Sequence, residues 1–262
     1  MGMKPHVSNC ISSIFVLKEN STLTFYTEVY LTEFAIPGIE AKKTIRMLFL
    51  VAVAAVLLAN AECFTHQDAN NYMDYVLSSK FSSEAQYSRL DPIKLPDIKI
   101  DLISKRIWDN KAELKKGELH NLSTVKRIND CSVPHWSSAN VTFICTLSFS
   151  KLVVNYTANV SYDNMQLIFY PTTAVTETLL TIQITSSKVE NIPSLKLLIV
   201  NSVGKMYVTS RMISVGDVSQ MVGPPIRDAI VESSTTNLHQ ILTGRFKEAL
   251  SYSIYKTPVP FV

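Results

Sequence analysis

The sequence predicts an α+β fold in the order helix, long antiparallel sheet, long amphipathic helix, and three observations lead there. Between about Ile98 and Ile213 the dominant hydrophobic period is two. From Val218 it changes to steps of three and four. Before the sheet region, Asp68 to Phe81 places Tyr72, Tyr75, Val76 and Leu77 near helical spacing with few breakers.

The element order opens with a segment that is not part of the fold. Lys42, Lys43 and Arg46 precede an apolar run from Leu48 to Ala59, which ends in Ala59-Asn60-Ala61. Basic residues, a short apolar core and small residues at a cleavage site define a secretory signal. The run is about a dozen residues long, well short of the ~20 that a membrane-spanning helix needs. Met47 stands directly before it, so residues 1–46 read as an upstream extension, 47–61 as the signal peptide and 62–262 as a single domain that begins at Glu62. Export to the extracellular space follows, without stable membrane insertion after cleavage. A mature chain of about 200 residues is within the size of one domain with a substantial core.

After the N-terminal helix, Asp91-Pro-Ile-Lys-Leu-Pro-Asp97 must be extended, because neither proline sits in a helix interior. The clearest strand alternates Val141, Phe143, Cys145, Leu147 and Phe149 with Thr142, Ile144, Thr146 and Ser148. The next alternates Val154, Tyr156, Ala158, Val160 and Tyr162 with Asn155, Thr157, Asn159 and Ser161. Further strands are expected at Gln166 to Tyr170, Thr178 to Thr185, Leu195 to Asn201 and Lys205 to Ile213, and Tyr162 to Met165 forms a turn. In the last element, Val222, Ile226, Ile230, Leu238, Ile241, Leu242, Phe246, Ala249 and Leu250 share one stripe, with Asp217 as N-cap. Pro224 and Pro225 set either a kink or the start of this helix.

The chain is 47% hydrophobic, only 18% charged, and carries a formal net charge of +3. Nucleic acid requires a concentrated basic face, and this balance does not provide one. The five histidines have no metal-ligand spacing. Gly-x-Ser-x-Gly, His-Glu-x-x-His, phosphate-cradling glycine loops and paired Cys-x-x-Cys motifs are all absent, so neither catalysis, a metal nor a cofactor is expected. Trp108 and Trp136 are read as packing residues.

In an exported chain, Cys131 and Cys145 flank the turn-like Ser132 to Ser138 and are expected to form a disulfide. Closing such a loop contributes ~3 kcal/mol in the chain-entropy picture. Cys63 is left without an assigned partner. Sequons occur at Asn121, Asn140, Asn155 and Asn159, besides Asn20 in the extension. Asn140, Asn155 and Asn159 fall in the polar phase of their strands, where a glycan reaches solvent.

Asp91-Pro-Ile-Lys-Leu-Pro-Asp97, Lys116-Gly-Glu-Leu119 leading into Val125, and the long terminal helix together resemble the group-seven mite allergens. More remotely, they are similar to the insect juvenile-hormone-binding and bactericidal/permeability-increasing group of tubular lipid-binding folds. The resemblance runs from about Asn70 to Tyr255. It implies a strongly curved antiparallel sheet wrapped around the C-terminal helix, with an apolar space between them that accepts lipid. The Cys131/Cys145 pair and the dense sequons depart from the allergen pattern.

A curved sheet either closes fully on its helix or leaves a dry cavity, and periodicity does not choose between these. The resemblance implies a secreted, non-catalytic carrier of a fatty acid, lipid, sterol or terpenoid. Its ligand-binding candidates are the inward-phase residues Phe143, Leu147, Phe149, Tyr156, Val160, Ile230, Leu238, Ile241 and Leu242. The alternative is an extracellular interaction or innate-immune protein that uses the outer surface of the fold and stores no ligand.

Overall fold

In the computed structural model, residues 65–102, 110–137, 139–162, 165–210 and 218–260 are described, with side chains of the last segment from Val222 onward. The extension, the signal, Cys63, Trp108 and Asp217 lie outside these residues.

The N-terminal helix starts at Thr65. Its amide and hydroxyl both donate to the Asp68 carboxylate, closing a capping box. Helix α1 (His66–Tyr75) passes through a π turn (Val76–Phe81) into α2 (Ser82–Tyr87), so the helical stretch is longer than the Asp68–Phe81 pattern indicated. The twelve described strands are β1 (Ile93–Leu95), β2 (Ile98–Asp101), β3 (Lys111–His120), β4 (Val125–Ile128), β5 (His135–Ser137), β6 (Asn140–Phe149), β7 (Leu152–Tyr162), β8 (Met165–Phe169), β9 (Pro171–Thr176), β10 (Thr178–Ser187), β11 (Pro193–Ser202) and β12 (Lys205–Ser210). The C-terminal helix comprises α3 (Val218–Ile241), a π turn (Leu242–Phe246) and α4 (Lys247–Tyr255). Pro224 and Pro225 lie inside α3, and the non-helical residue is Gly244, at φ −103° and ψ −105°. The break therefore falls where a glycine tolerates it, not at the prolines.

All strand pairs are antiparallel, in two sheets. One has seven strands, ordered β1-β3-β7-β9-β12, with β2 also on β3 and β8 also on β7. The other has five, ordered β11-β10-β6-β4, with β5 also on β6. The connections show how these two sheets make one bent surface. The chain passes from one sheet to the other at Asn121–Thr124, at Ser150-Lys151, at Glu177 and at Val203-Gly204, and the four crossings are neighbours. Leu152 pairs with Val175 and Thr176 with Lys205 on one side of the bend, while Phe149 pairs with Thr178 and Leu179 with Ser202 on the other.

The bend is held by specific contacts. Gly204 has φ +101°, and a Cβ there would collide with the Thr176 carbonyl oxygen and lie 2.9 Å from Thr178 Oγ1. Thr178 is buried, and its hydroxyl donates to the Val203 carbonyl at 2.8 Å. Glu177, at φ 61°, pairs with Lys205 at 2.8 Å across the turn. Gly204 is therefore required both by backbone conformation and by the close approach of a neighbouring strand.

Both proline-rich and glycine-containing strings of the sequence have local structural roles. The Asp91 carboxylate accepts the amides of Asn121 and Ser123 and the Ser123 hydroxyl, fixing β1 against the turn after β3. At Lys116 (φ 54°) strand β3 bulges, and Gly117 leaves room for the Tyr156 ring, whose Cζ would be 2.8 Å from a Cβ at that position.

Cys131 and Cys145 are bonded, with Cα atoms 4.4 Å apart. Between β4 and β5, the edge of the second sheet loses its regular ladder. Ser132 replaces it, its amide donating to the Ile144 carbonyl and its hydroxyl accepting the Ile144 amide. Asn70 on α1 bridges to the same loop, accepting the Cys131 amide and donating to Asp130, each at 2.8 Å. Arg127 completes the attachment with a two-pronged pair to Asp74.

Replacing Gly204 by Ala is expected to destabilise the fold by at least ~2 kcal/mol through backbone strain and collision. The measurement is the urea midpoint. A shift that leaves the slope unchanged would place the effect on the native state.

Candidate functional site

The alternation read from the sequence corresponds to burial. Val141, Phe143, Cys145, Leu147 and Phe149 are buried on β6, and Val154, Tyr156, Ala158, Val160 and Tyr162 on β7. On the helix, Ile230, Leu238 and Leu242 are buried and Ile241 is half-exposed. The candidate residues thus belong to one apolar cluster built from both sheets and the helices.

Aromatic packing fills part of this interior. Phe149 meets Phe246 at 5.3 Å between ring centres, Phe246 meets Phe81 at 5.1 Å, and Phe143 meets Tyr72 at 5.7 Å, all edge-on. Phe81 and Phe246 each close one of the two π turns, so the irregular turns bring the two helical stretches into ring contact. Around Phe143 and Phe149 the space between sheet and helices is therefore occupied by protein.

Tyr156 marks a polar position in the same interior. Its hydroxyl donates to the Pro96 carbonyl at 3.3 Å and interacts with the Ser233 side chain of α3. Burial pushes its phenol up to about 12, partly opposed by the Ser233 contact. Tyr72 donates to the Thr257 carbonyl at 3.0 Å, and burial raises its phenol as well. Ser234, one helical turn from both Ile230 and Leu238, carries a buried hydroxyl without a hydrogen-bond partner.

Coverage changes towards the sheet edges. On the central strands β3, β6, β7 and β10 most inward positions are buried. The same phase on the outer strands is only half-covered: Ile98 and Ile100 on β2, Leu195, Leu198 and Val200 on β11, and Met206 and Val208 on β12. Register identifies these as inward residues, since Leu198 pairs with buried Ile182, Val200 with Leu180 and Met206 with Val175. Strand β11 faces α4 and the second π turn, while α3 packs against β2 at one edge of the seven-stranded sheet and β12 at the other, where Thr235 Oγ1 lies 3.7 Å from Met206 Sδ.

At the N-terminal end of α3, away from the bend, this edge opens into a cleft of about 260 Å³. Phe169 and Pro171 form one wall, Val208 and Ser210 a second, and Gly223, Ile226 and Arg227 of α3 the third. Sequence phase placed Ile226 on the apolar stripe but did not single out the other residues. Phe169 and Val208 carried the signal of an inward strand position. Gly223 and Arg227 carried none, because their role depends on where the helix meets the sheet edge.

Among the described residues, no group of three or more His, Cys, Asp and Glu side chains could hold a metal ion, and no helix is long and apolar enough to cross a membrane. The sequon residues lie at the surface: Asn140 is exposed at the start of β6, while Asn155 and Asn159 are half-exposed on the outer face of β7. Asn121, half-exposed in a left-handed turn, donates to the Lys151 carbonyl at 3.1 Å.

Fold and site together define an α+β protein whose bent antiparallel sheet covers an apolar interior that is closed at its centre and incompletely covered on its outer strands. The family model described as Group 7 allergen matches residues 68–206, more than half of the chain, and the chain belongs to that family. No curated protein matches it. Two solved structures are similar over part of their length. The crystal structure of lipopolysaccharide binding protein aligns at 11% identity with a TM-score of 0.44, covering 71% of this chain and 39% of that one. The crystal structure of Epiphyas postvittana Takeout 1 aligns at 12% identity with a TM-score of 0.35, covering 72% of this chain and 93% of the other. The chain thus spans well under half of lipopolysaccharide binding protein.

Two predictions follow from the geometry. A Cβ at Gly223 would meet nothing within 4 Å, so Gly223→Leu projects a side chain into the cleft, and because Pro224 follows, the usual helix-propensity gain over glycine is cancelled. Leu238→Trp, by contrast, overpacks the buried interior at a cost of ~1–3 kcal/mol. Thermal unfolding should change little for the first and fall for the second.

The second concerns pH. Tyr72 and Tyr156 keep their protons in the folded chain above the ordinary phenol range, whereas the unfolded chain releases them from about pH 10. Their contribution to stability is therefore complete below pH 10 and declines as pH rises beyond it. Urea unfolding at pH 8 and pH 11 should show this loss, and Tyr72→Phe with Tyr156→Phe should reduce it.

Proposed function

We propose that this chain is a secreted, non-catalytic carrier that binds a hydrophobic small molecule, such as a fatty acid, lipid, sterol or terpenoid, in an apolar space between sheet and helix. The observation that supports the reading is the half-covered pair of inward side chains Met206 and Val208 on edge strand β12, which lies against α3 and leads to the cleft at Ser210, Gly223 and Arg227. A filled protein interior gives no reason for inward positions to stay exposed at the edge nearest a cleft. The signal-like segment, the Cys131–Cys145 bond and the surface sequons support export and glycosylation at Asn121, Asn140, Asn155 and Asn159.

The driving force is burial of ligand hydrocarbon. Each buried methylene is worth ~0.8 kcal/mol, so ten contribute ~8 kcal/mol, against an association cost of ~4–15 kcal/mol. A ligand held only in the cleft would bind weakly. Useful affinity requires the chain to continue along the seam past Val208 and Met206. Among the inward candidates, half-exposed Ile241 is the one open to such a ligand without rearrangement, while Phe143, Leu147, Phe149, Tyr156, Val160, Ile230, Leu238 and Leu242 support it from behind.

Native mass spectrometry of the deglycosylated secreted protein is expected to show a retained small-molecule mass, and the delipidated protein is expected to take up an environment-sensitive fluorescent fatty acid. Gly223→Leu should lower that uptake at least severalfold while the protein stays folded. Absence of both retained mass and uptake in the unmutated protein would remove the carrier reading.

A second reading, an extracellular interaction protein, has its own observation. Leu197 (42% exposed), Ile199 (45%) and Ile144 (44%) lie on the outer face of the second sheet, where Gln183 pairs with both Ile144 and Leu197. If that face binds a partner, Leu197→Lys abolishes the interaction and leaves fatty-acid uptake unchanged.

A further inference from the structure

We propose that the cleft at the N-terminal end of α3 is the head-group site for an amphipathic anion, a long-chain carboxylate, with Arg227 as its counter-charge. This rests on the carrier reading and assigns the ligand class. The wall chemistry divides the cleft in two. Phe169, Pro171 and Ile226 are buried at its floor and Val208 is half-covered, while exposed Ser210 and Arg227 bring a hydroxyl and a guanidinium to the same opening. A fully apolar ligand would leave both polar groups unused.

Arg227 is available for this role. Arg127 is committed to Asp74, and Arg245 donates to the Ser88 carbonyl. Among the described residues, Arg227 takes part in no hydrogen bond or ion pair. Its neighbour Asp228 projects about 100° further round the helix. A guanidinium presents a planar pair of donors that matches a carboxylate, and its single charge balances a single carboxylate charge. Gly223, one turn before Arg227, keeps the opening free of a side chain. From the head-group site, the next inward side chain of β12 after Val208 is Met206, two residues or ~7 Å along the strand, so a tail that parts α3 from β12 meets apolar side chains towards the bend.

The test uses the delipidated full-length secreted protein and calorimetric titration with palmitate, hexadecanol and monohexadecyl phosphate. Arg227→Gln is expected to weaken palmitate binding about five- to tenfold, as loss of a charge-assisted pair near solvent does, with Arg227→Lys restoring only part of the affinity because it keeps the charge and loses the paired donors. Hexadecanol binding should stay within about twofold, because it has no charge to lose. Ser210→Asp, which places a like charge beside the carboxylate, should repeat the effect and guards against a folding defect in the Arg227 variant. Equal weakening of palmitate and hexadecanol, or no weakening of either, would overturn the head-group assignment while leaving the carrier reading intact. Preference for the phosphate with the same Arg227 dependence would overturn the carboxylate class. If the unmutated protein binds none of the three, the carrier reading itself fails.

Discussion

The bend in the sheet is the constraint on which the rest of the structure depends. A flat antiparallel sheet has one face for a helix to cover and leaves the other half of the helix wet. Here four adjacent chain crossings turn the sheet, so both halves direct their inward residues at the same helix. The turn is feasible because Gly204 accepts a conformation and a close approach that no side-chain-bearing residue tolerates, and because buried Thr178 satisfies the Val203 carbonyl at the crossing. Without that hydrogen bond, a carbonyl at the centre of the bend would lose its water and gain no partner, at a cost of ~1–3 kcal/mol.

The consequences are uneven along the helix. Towards the C-terminal π turn, Phe246 lies between Phe149 of the sheet and Phe81 of the N-terminal helix, and the interior is filled. In its middle, Ser233 reaches the Tyr156 hydroxyl, and Gly117 leaves room for the Tyr156 ring on the opposite side. Towards its N-terminal end the outer strands are only half-covered and the cleft opens. One helix thus serves as core at one end and as the wall of an opening at the other.

The N-terminal helix is docked by polar contacts as well as by packing. Asn70, buried between α1 and the disulfide loop, holds the Cys131 amide and Asp130, and Arg127 reaches Asp74. The Cys131–Cys145 bond ties that loop to β6, whose next residues carry Leu147 and Phe149 into the core. Oxidation therefore secures the part of the sheet edge where the regular strand ladder is interrupted.

Which residues face inward was legible in the sequence, because burial on strands and helices follows fixed periods. The alternation through β6 and β7, the stripe from Val222 to Leu250 and the cysteine pairing are local patterns that survive in the folded chain. The helix limits were less legible: a period cannot distinguish an α turn from a π turn, so the irregular turns at Val76–Phe81 and Leu242–Phe246 were invisible, and the break fell at Gly244 and not at the prolines. What only the tertiary structure decided is where covering stops. Phase gives Leu147 and Val208 the same description, yet one is sealed in the core and the other lines an opening, because β6 is flanked by strands and β12 forms an edge. Gly223 and Arg227 likewise have no meaning until helix and edge meet. Periodicity is a property of a segment, whereas exposure of an inward side chain depends on which other segments reach it.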